Sequence, residues 1–180
     1  GLGLSAPRVH GADPSNGLAL VEDFGSGTYS NCLAGGASET DLYTLAVDAL
    51  LHLHHDARSA RIACPAYDMT TYISELDIFS DWFAPALDPT IELVRVSDTM
   101  RGLWTKALAP FAAGFETLVL RDFHVDNLMY LSGRDGVARC GLLDFQDGIL
   151  GHCEYDLVSL LQDARRDLAP GLEEKLLTHY

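Results

Sequence analysis

Apolar residues recur along this chain at two periods, and the period changes near residue 115. In the first part, Leu42, Leu45, Ala46, Ala49, Leu50 and Leu53 repeat at three and four residues, which predicts a helix over 39–54. Ser38-Glu39-Thr40-Asp41 in front of it reads as a capping box, with Asp in place of the usual Glu or Gln. A further helix is predicted over 69–83, and Leu93, Val96, Met100, Leu103, Trp104 and Leu108 mark another that stops near Pro110. Before these helices, residues 7–24 read as two extended runs joined by Asp13-Pro14-Ser15-Asn16-Gly17, a β-hairpin. After residue 115 short apolar runs take over: 117–120, 128–131 and, beyond a Gly-containing turn at 132–136, 138–143. Tyr155, Leu157, Val158, Leu160, Leu161 and Ala164 then return to helical spacing, with Asp156 in the first turn, and a last helix runs from Gly171 to Tyr180.

Charge narrows the partners. Lys and Arg number 12 against 26 Asp and Glu, a net charge of -14, so polyanions are repelled at long range. Neither nucleic acid nor an anionic membrane is an expected partner. Cys32, Cys64, Cys140 and Cys153 form no Cys-x-x-Cys pair, which fits reduced thiols in a cytoplasmic protein. No apolar run approaches the roughly 20 residues that cross a bilayer. At 180 residues the chain is long enough to bury a core without disulfides.

Asp122, Asn127 and Asp144 stand at the ends of predicted strands in otherwise apolar surroundings, within Leu120-Arg121-Asp122-Phe123-His124-Val125-Asp126-Asn127 and Leu142-Leu143-Asp144-Phe145-Gln146-Asp147-Gly148. An Asp-x-x-x-x-Asn loop followed, across a hairpin, by Asp-Phe is the pattern that phosphoryl transfer from a magnesium nucleotide requires. One carboxylate orients or deprotonates the attacking hydroxyl, while an amide oxygen and a second carboxylate suit a hard cation. Asp126, Gln146 and Asp147 border this site, with metal or substrate contact and plain solvation as equal readings.

These motifs resemble the aminoglycoside phosphotransferase and choline kinase branch of the protein-kinase-like fold. Arg121-Asp122 with Asn127, Asp144-Phe145, and Gly151-x-x-x-Tyr155-Asp156-Leu157 carry the resemblance. The wording of these segments is most similar to a bacterial subgroup that includes kinases of N-acetylmuramate and N-acetylglucosamine. The resemblance implies an α+β fold: a mainly helical C-lobe with short β-hairpins, with the N-lobe largely absent from this chain. Residues 1–24 would be the end of that lobe and the hinge, and 25–180 the C-lobe, with a catalytic loop at 120–128 and a metal-binding loop at 143–148. It implies an ATP- and Mg2+-dependent transfer of the γ-phosphate to a small-molecule hydroxyl, an amino sugar first and an aminoglycoside second; a non-catalytic kinase-like binding module is the reading from another class. Asp122 would be the base, Asn127 and Asp144 the magnesium ligands, and Asp156 a structural carboxylate bracing the catalytic loop. Adenine would meet main-chain groups of Val21, Glu22 and Asp23.

The chain departs from the family pattern in three places. Gly1-Leu2-Gly3 and Gly25-Ser26-Gly27 lack the context of a phosphate-binding glycine loop. The only lysines, Lys106 and Lys175, fall in helical segments, not on a strand, so the expectation is a segment of a longer protein. Leu120 replaces the His that usually precedes this loop. Arg121 reads as an ion-pair partner more than as an anion contact, and His124 equally as a group that shapes the loop or touches substrate and as a satisfied structural histidine. His52, His54 and His55 read as surface groups at a helix end. Tyr67, Asp68, Glu75 and Trp82 read as a packed helical face, or alternatively as a sugar-binding face.

Overall fold

The computed structural model describes residues 2–90, 92–112, 114 and 116–180. Gly1, and with it the start of the first glycine pair and of the 1–24 segment, lies outside the described residues, as does the side chain of Leu93. The N-terminal hairpin forms as expected: β1 (Val9–Asp13) pairs antiparallel with β2 (Leu18–Val21), and the Asp13 carboxylate fastens the turn by accepting from Ser15 and Asn16. A short α1 (Tyr29–Ala34), absent from the sequence reading, follows with Thr28 as its cap.

The core is built around α2 (Glu39–His55). Ser38 Oγ accepts from the Asp41 N–H at 3.2 Å, so the Ser38 half of the expected capping box is present. Leu42, Leu45, Ala46, Val47, Ala49, Leu50 and Leu53 are all buried, a stripe so wide that α2 is enclosed on most sides. Around it pack Leu128 and Leu142 of the hairpin below, Leu157, Leu160 and Leu161 of α6 (Glu154–Leu161), and Leu172 and Leu176 of α7 (Leu172–His179). Each fully buried leucine contributes about 1.5–3 kcal/mol relative to exposure, so this helix is the main source of apolar stabilisation.

The expected 69–83 helix is two pieces: α3 (Met69–Ile78), capped by Asp68, and a wider π turn at Phe79–Phe83 that leads into α4 (Ala84–Leu87). Pro85 is the second residue of α4, where its lack of an N–H suits the first turn. The next helix, α5 (Leu93–Leu108), ends ahead of Pro110 as expected and is clamped to α3 by a two-pronged Arg101–Asp77 pair at 2.7 Å.

The four short strands after residue 115 are nested. β3 (Thr117–Val119) pairs with β6 (Ile149–Gly151), a strand the sequence reading missed, and between them β4 (Leu128–Tyr130) pairs with β5 (Cys140–Leu142). Both pairs are antiparallel, so the two connections between them, 120–127 and 143–148, emerge at the same end and run side by side. Leu143 N–H donates to Asn127 C=O at 2.9 Å across that gap. Gly141 sits where any side chain would collide with Leu131, Met129 and Phe24, within about 3.0 Å of each, which lets residues 24–28 lie against the hairpin. α6 stops at Leu161, short of the expected Ala164, because Asp163 turns back to accept from Arg165 N–H. No helix among the described residues is long and apolar enough to cross a membrane, and Cys32, Cys64, Cys140 and Cys153 are all free thiols.

His54 corrects the expectation of a surface group. Its ring is half-buried against Tyr180, with Nδ1 within 2.8 Å of the Tyr180 hydroxyl, and burial lowers its pKa to about 4. In the unfolded chain this imidazole titrates near its ordinary value, so between about pH 6.5 and 4 the unfolded state alone takes up the proton and stability falls with falling pH. Urea unfolding at pH 7 and pH 5 should therefore show a smaller loss of midpoint on acidification in His54→Gln than in the unmodified protein.

Candidate active site

The loop between β3 and β4 carries its chemistry on alternate sides. Phe123 and Val125 are buried in the main core, whereas Asp122 and Asp126 face solvent. Two anchored apolar residues thus hold the exposed carboxylates in a fixed frame. The Asp122 carbonyl accepts from His124 N–H at 3.1 Å and from Asn127 Nδ2 at 3.0 Å, which closes the loop on itself.

Asp156 braces the loop, as the resemblance implies. This side chain has no solvent exposure and accepts Leu120 N–H at 2.7 Å and Arg121 N–H at 2.9 Å. Burial raises its pKa to about 7 against the opposing pull of those two N–H groups. One turn along α6, Ser159 Oγ donates to the Arg121 carbonyl at 3.0 Å. Sequence reasoning missed this residue; its only signal is a serine at helical spacing from Asp156 in an otherwise apolar run. Arg121 therefore has both backbone groups tied to α6, and it needs them: its φ of +72° lies in the left-handed region that non-glycine residues rarely occupy. Among the described residues Asp144 is the other non-glycine residue with positive φ, at +56°. Both strained positions fall in the two loops that meet here.

The side chain of Arg121 makes the expected ion pair, with Glu75 of α3 at 2.5 Å. Of the packed face read from Tyr67, Asp68, Glu75 and Trp82, the structure brings only Tyr67 and Glu75 together, the Tyr67 hydroxyl donating to the other Glu75 oxygen. Asp68 caps α3, and Trp82 is exposed.

Asn127 and Asp144 are neighbours because Leu128 pairs with Leu142 and Leu143 bonds to Asn127. Asn127 commits Nδ2 to the Asp122 carbonyl, so its oxygen is the end presented to a ligand. Asp144 accepts from Gln146 Nε2 at 2.6 Å through one oxygen, and its other oxygen makes no described hydrogen bond. An amide oxygen and a carboxylate oxygen, here on adjacent loops, are the hard donor types that suit Mg2+ with retained water. His124 Nε2 lies 3.4 Å from Asn127 Nδ2 and acts as an acceptor, which places the ring proton on a buried Nδ1 with no described partner.

At the expected hinge, Glu22 binds Arg134 at 2.7 Å, and the Arg134 guanidinium lies 4.8 Å over the Phe24 ring. Asp23 accepts from Gly25 N–H. Val21 and Glu22 pair back toward Val9 and Arg8; the Glu22 N–H is already donated to the Arg8 carbonyl, so it is not available to a base. Lys175 lines a cavity of about 930 Å3 between α2 and α7 whose walls include none of Asp122, Asn127 or Asp144. A separate cluster, Glu116, His152 and Glu154, lies at the opposite end of the β3–β6 pair, with both glutamates exposed.

A helical body over nested two-stranded ribbons, with an Asp loop and an Asp-Phe loop side by side, is the protein-kinase-like fold. Solved structures agree: APH(2'')-IIa in its ternary complex with streptomycin and ATP superposes with a TM-score of 0.65 at 19% identity over 98% of this chain and 60% of its own. A choline/ethanolamine kinase family protein from Mesorhizobium loti gives 0.62 at 17% identity over 99% of this chain and 55% of its own. Residues 1–180 match the phosphotransferase enzyme family, and the chain belongs to it. Among curated relatives, an N-acetylmuramate/N-acetylglucosamine kinase of Caulobacter vibrioides is 36% identical over 99% of this chain and 51% of its own length. One of the same name from Neisseria meningitidis is 35% identical over 89% of this chain and 47% of its own. The chain thus spans about half the length of the curated relatives it matches.

Asp156 has a measurable signature. Asp156→Asn keeps the shape but turns one acceptor into a donor facing a buried N–H, and should lower unfolding free energy by about 1–3 kcal/mol. Because the folded pKa lies above the ordinary carboxylate value, the native state alone holds this proton between about pH 4 and 7, and this residue's contribution to stability declines as pH rises across that window. Chemical denaturation across that range should show that slope component missing in Asp156→Asn.

Proposed function

We propose that the intact protein is a kinase that transfers the γ-phosphate of ATP to a hydroxyl of an amino sugar, in the N-acetylmuramate and N-acetylglucosamine class. The observation that carries this reading is the convergence of Asp122, Asn127 and Asp144 on two adjacent, braced loops. The curated relatives, both N-acetylmuramate/N-acetylglucosamine kinases, favour the acceptor class.

In this reading Asp122 accepts the proton of the acceptor hydroxyl as its oxygen bonds to the γ-phosphorus. The bond from that phosphorus to the bridging oxygen of ADP breaks, ADP leaves with the electron pair, and Asp122 passes its proton to solvent. Asn127 and Asp144 would hold Mg2+, which when bound neutralises charge on the phosphates. Asp122 is exposed and half-tethered by backbone bonds alone, so its carboxylate can reach an incoming hydroxyl while its main chain stays fixed. Residues 21–23 are the proposed adenine contact, through main-chain groups other than the Glu22 N–H.

The test is magnesium-dependent transfer of labelled γ-phosphate by the intact protein to N-acetylmuramate, N-acetylglucosamine, aminoglycosides and choline. Transfer to the two amino sugars is the expected result. Asp122→Asn should lower turnover by about 100-fold or more with an unchanged thermal midpoint, since the side chain is exposed. Transfer to an aminoglycoside alone would move the acceptor, and nucleotide binding with no transfer to any would favour a non-catalytic module.

A further inference from the structure

Arg121 is held three ways, and the third restraint comes from a different part of the fold from the other two. Asp156 and Ser159 on α6 hold its N–H and C=O, whereas its guanidinium is held by Glu75 on α3. Glu75 is in turn fixed by the hydroxyl of Tyr67, which is 2% exposed and stacks on Tyr72 with ring centres 4.1 Å apart. The Tyr67 hydroxyl also lies 3.2 Å from that of Tyr155, the residue beside Asp156, and the Arg121 guanidinium sits 5.9 Å over the Tyr67 ring. The network therefore closes a circuit: α3 to Arg121, Arg121 to α6, α6 through Tyr155 back to Tyr67.

We infer that Tyr67 and Glu75 are positioning residues for phosphoryl transfer, acting through Arg121 to hold the strained backbone that presents Asp122. This rests on the kinase reading above. A left-handed arginine is strained and persists only where its surroundings over-determine it. The α6 bonds fix the peptides on either side of Arg121, and the Glu75 bond fixes the direction in which its side chain leaves the backbone. Without that anchor the residue can relax toward an ordinary φ, which swings the next residue, Asp122, out of line. Small displacements of a reacting group lower rate strongly while leaving binding at distant groups intact. Neither Tyr67 nor Glu75 needs to touch substrate for this.

Steady-state kinetics of Glu75→Gln and Tyr67→Phe in the intact protein should show kcat lower by about tenfold, with KM for ATP and for the sugar within about twofold. Glu75→Gln combined with Arg121→Gln should be no slower than the worse single variant, because both remove one interaction. Exchange of the amide hydrogens in residues 120–122 should quicken in both single variants while the thermal midpoint moves little. Unchanged kcat in both single variants, losses that multiply in the double variant, or an effect confined to the sugar KM would each overturn the positioning role. If the unmodified protein transfers no phosphate, the kinase reading fails and the exchange measurement alone decides: unaltered exchange at 120–122 overturns the inference, and faster exchange upholds the restraint. Should Glu75→Gln fail to fold, Tyr67→Phe, which removes one hydroxyl and keeps the ring, still gives the answer.

Discussion

Asp156 has no contact with water and spends both carboxylate oxygens on the consecutive N–H groups of Leu120 and Arg121. Those two peptides belong to the turn where β3 ends and the 120–127 loop begins, and neither N–H has a strand partner there. A buried N–H without an acceptor costs about 1–3 kcal/mol, so a chain that leaves a strand inside the protein must supply one. Here the acceptor comes from the first turn of α6, whose own N-terminus favours a carboxylate. The same bond that satisfies the backbone thereby fixes the position of Asp122, and burial raises the Asp156 pKa to about 7 as the counterpart of that service.

Topology does the rest. Nesting β4–β5 inside β3–β6 forces the 120–127 and 143–148 connections to one end, so the loop carrying Asp122 and the loop carrying Asp144 meet without any long-range contact dedicated to that purpose. The core beneath them is α2, whose buried stripe both ribbons and both later helices share. Opposite the α6 side, α3 reaches the same loop through Glu75. The site is thus gripped from two directions by elements that are far apart in the chain.

What could be read from the sequence, and what could not, follows from range. The two loops that carry Asp122, Asn127 and Asp144, and the bracing Asp156, are legible because their motifs are local, and the helices at 39–54 and near 93–108 because three or more turns repeat the pattern. α1 has six residues and β6 three, too short for a period to show. The π turn at Phe79–Phe83 looks like continuous helix by composition. Left-handed Arg121 and Asp144 gave no signal, since glycine is the residue that normally marks such φ values. Ser159 and the Tyr67–Glu75 pair lie dozens of residues from the loop they hold, and only the folded chain brings them to it. His54 was misjudged because its partner, Tyr180, is 126 positions away.

In the proposed kinase, the braced loops bring Asn127 and Asp144 to one metal and nucleotide site beside Asp122. Titrating the isotopically labelled intact protein with ATP and paramagnetic Mn2+ in place of Mg2+ tests it directly, because broadening of amide and side-chain signals falls off steeply with distance from the ion. The Asn127 side-chain amide and the backbone signals of residues 143–146 should disappear first, together with Asp122. Broadening centred instead on Glu116, His152 and Glu154, with the two loops untouched, would contradict it.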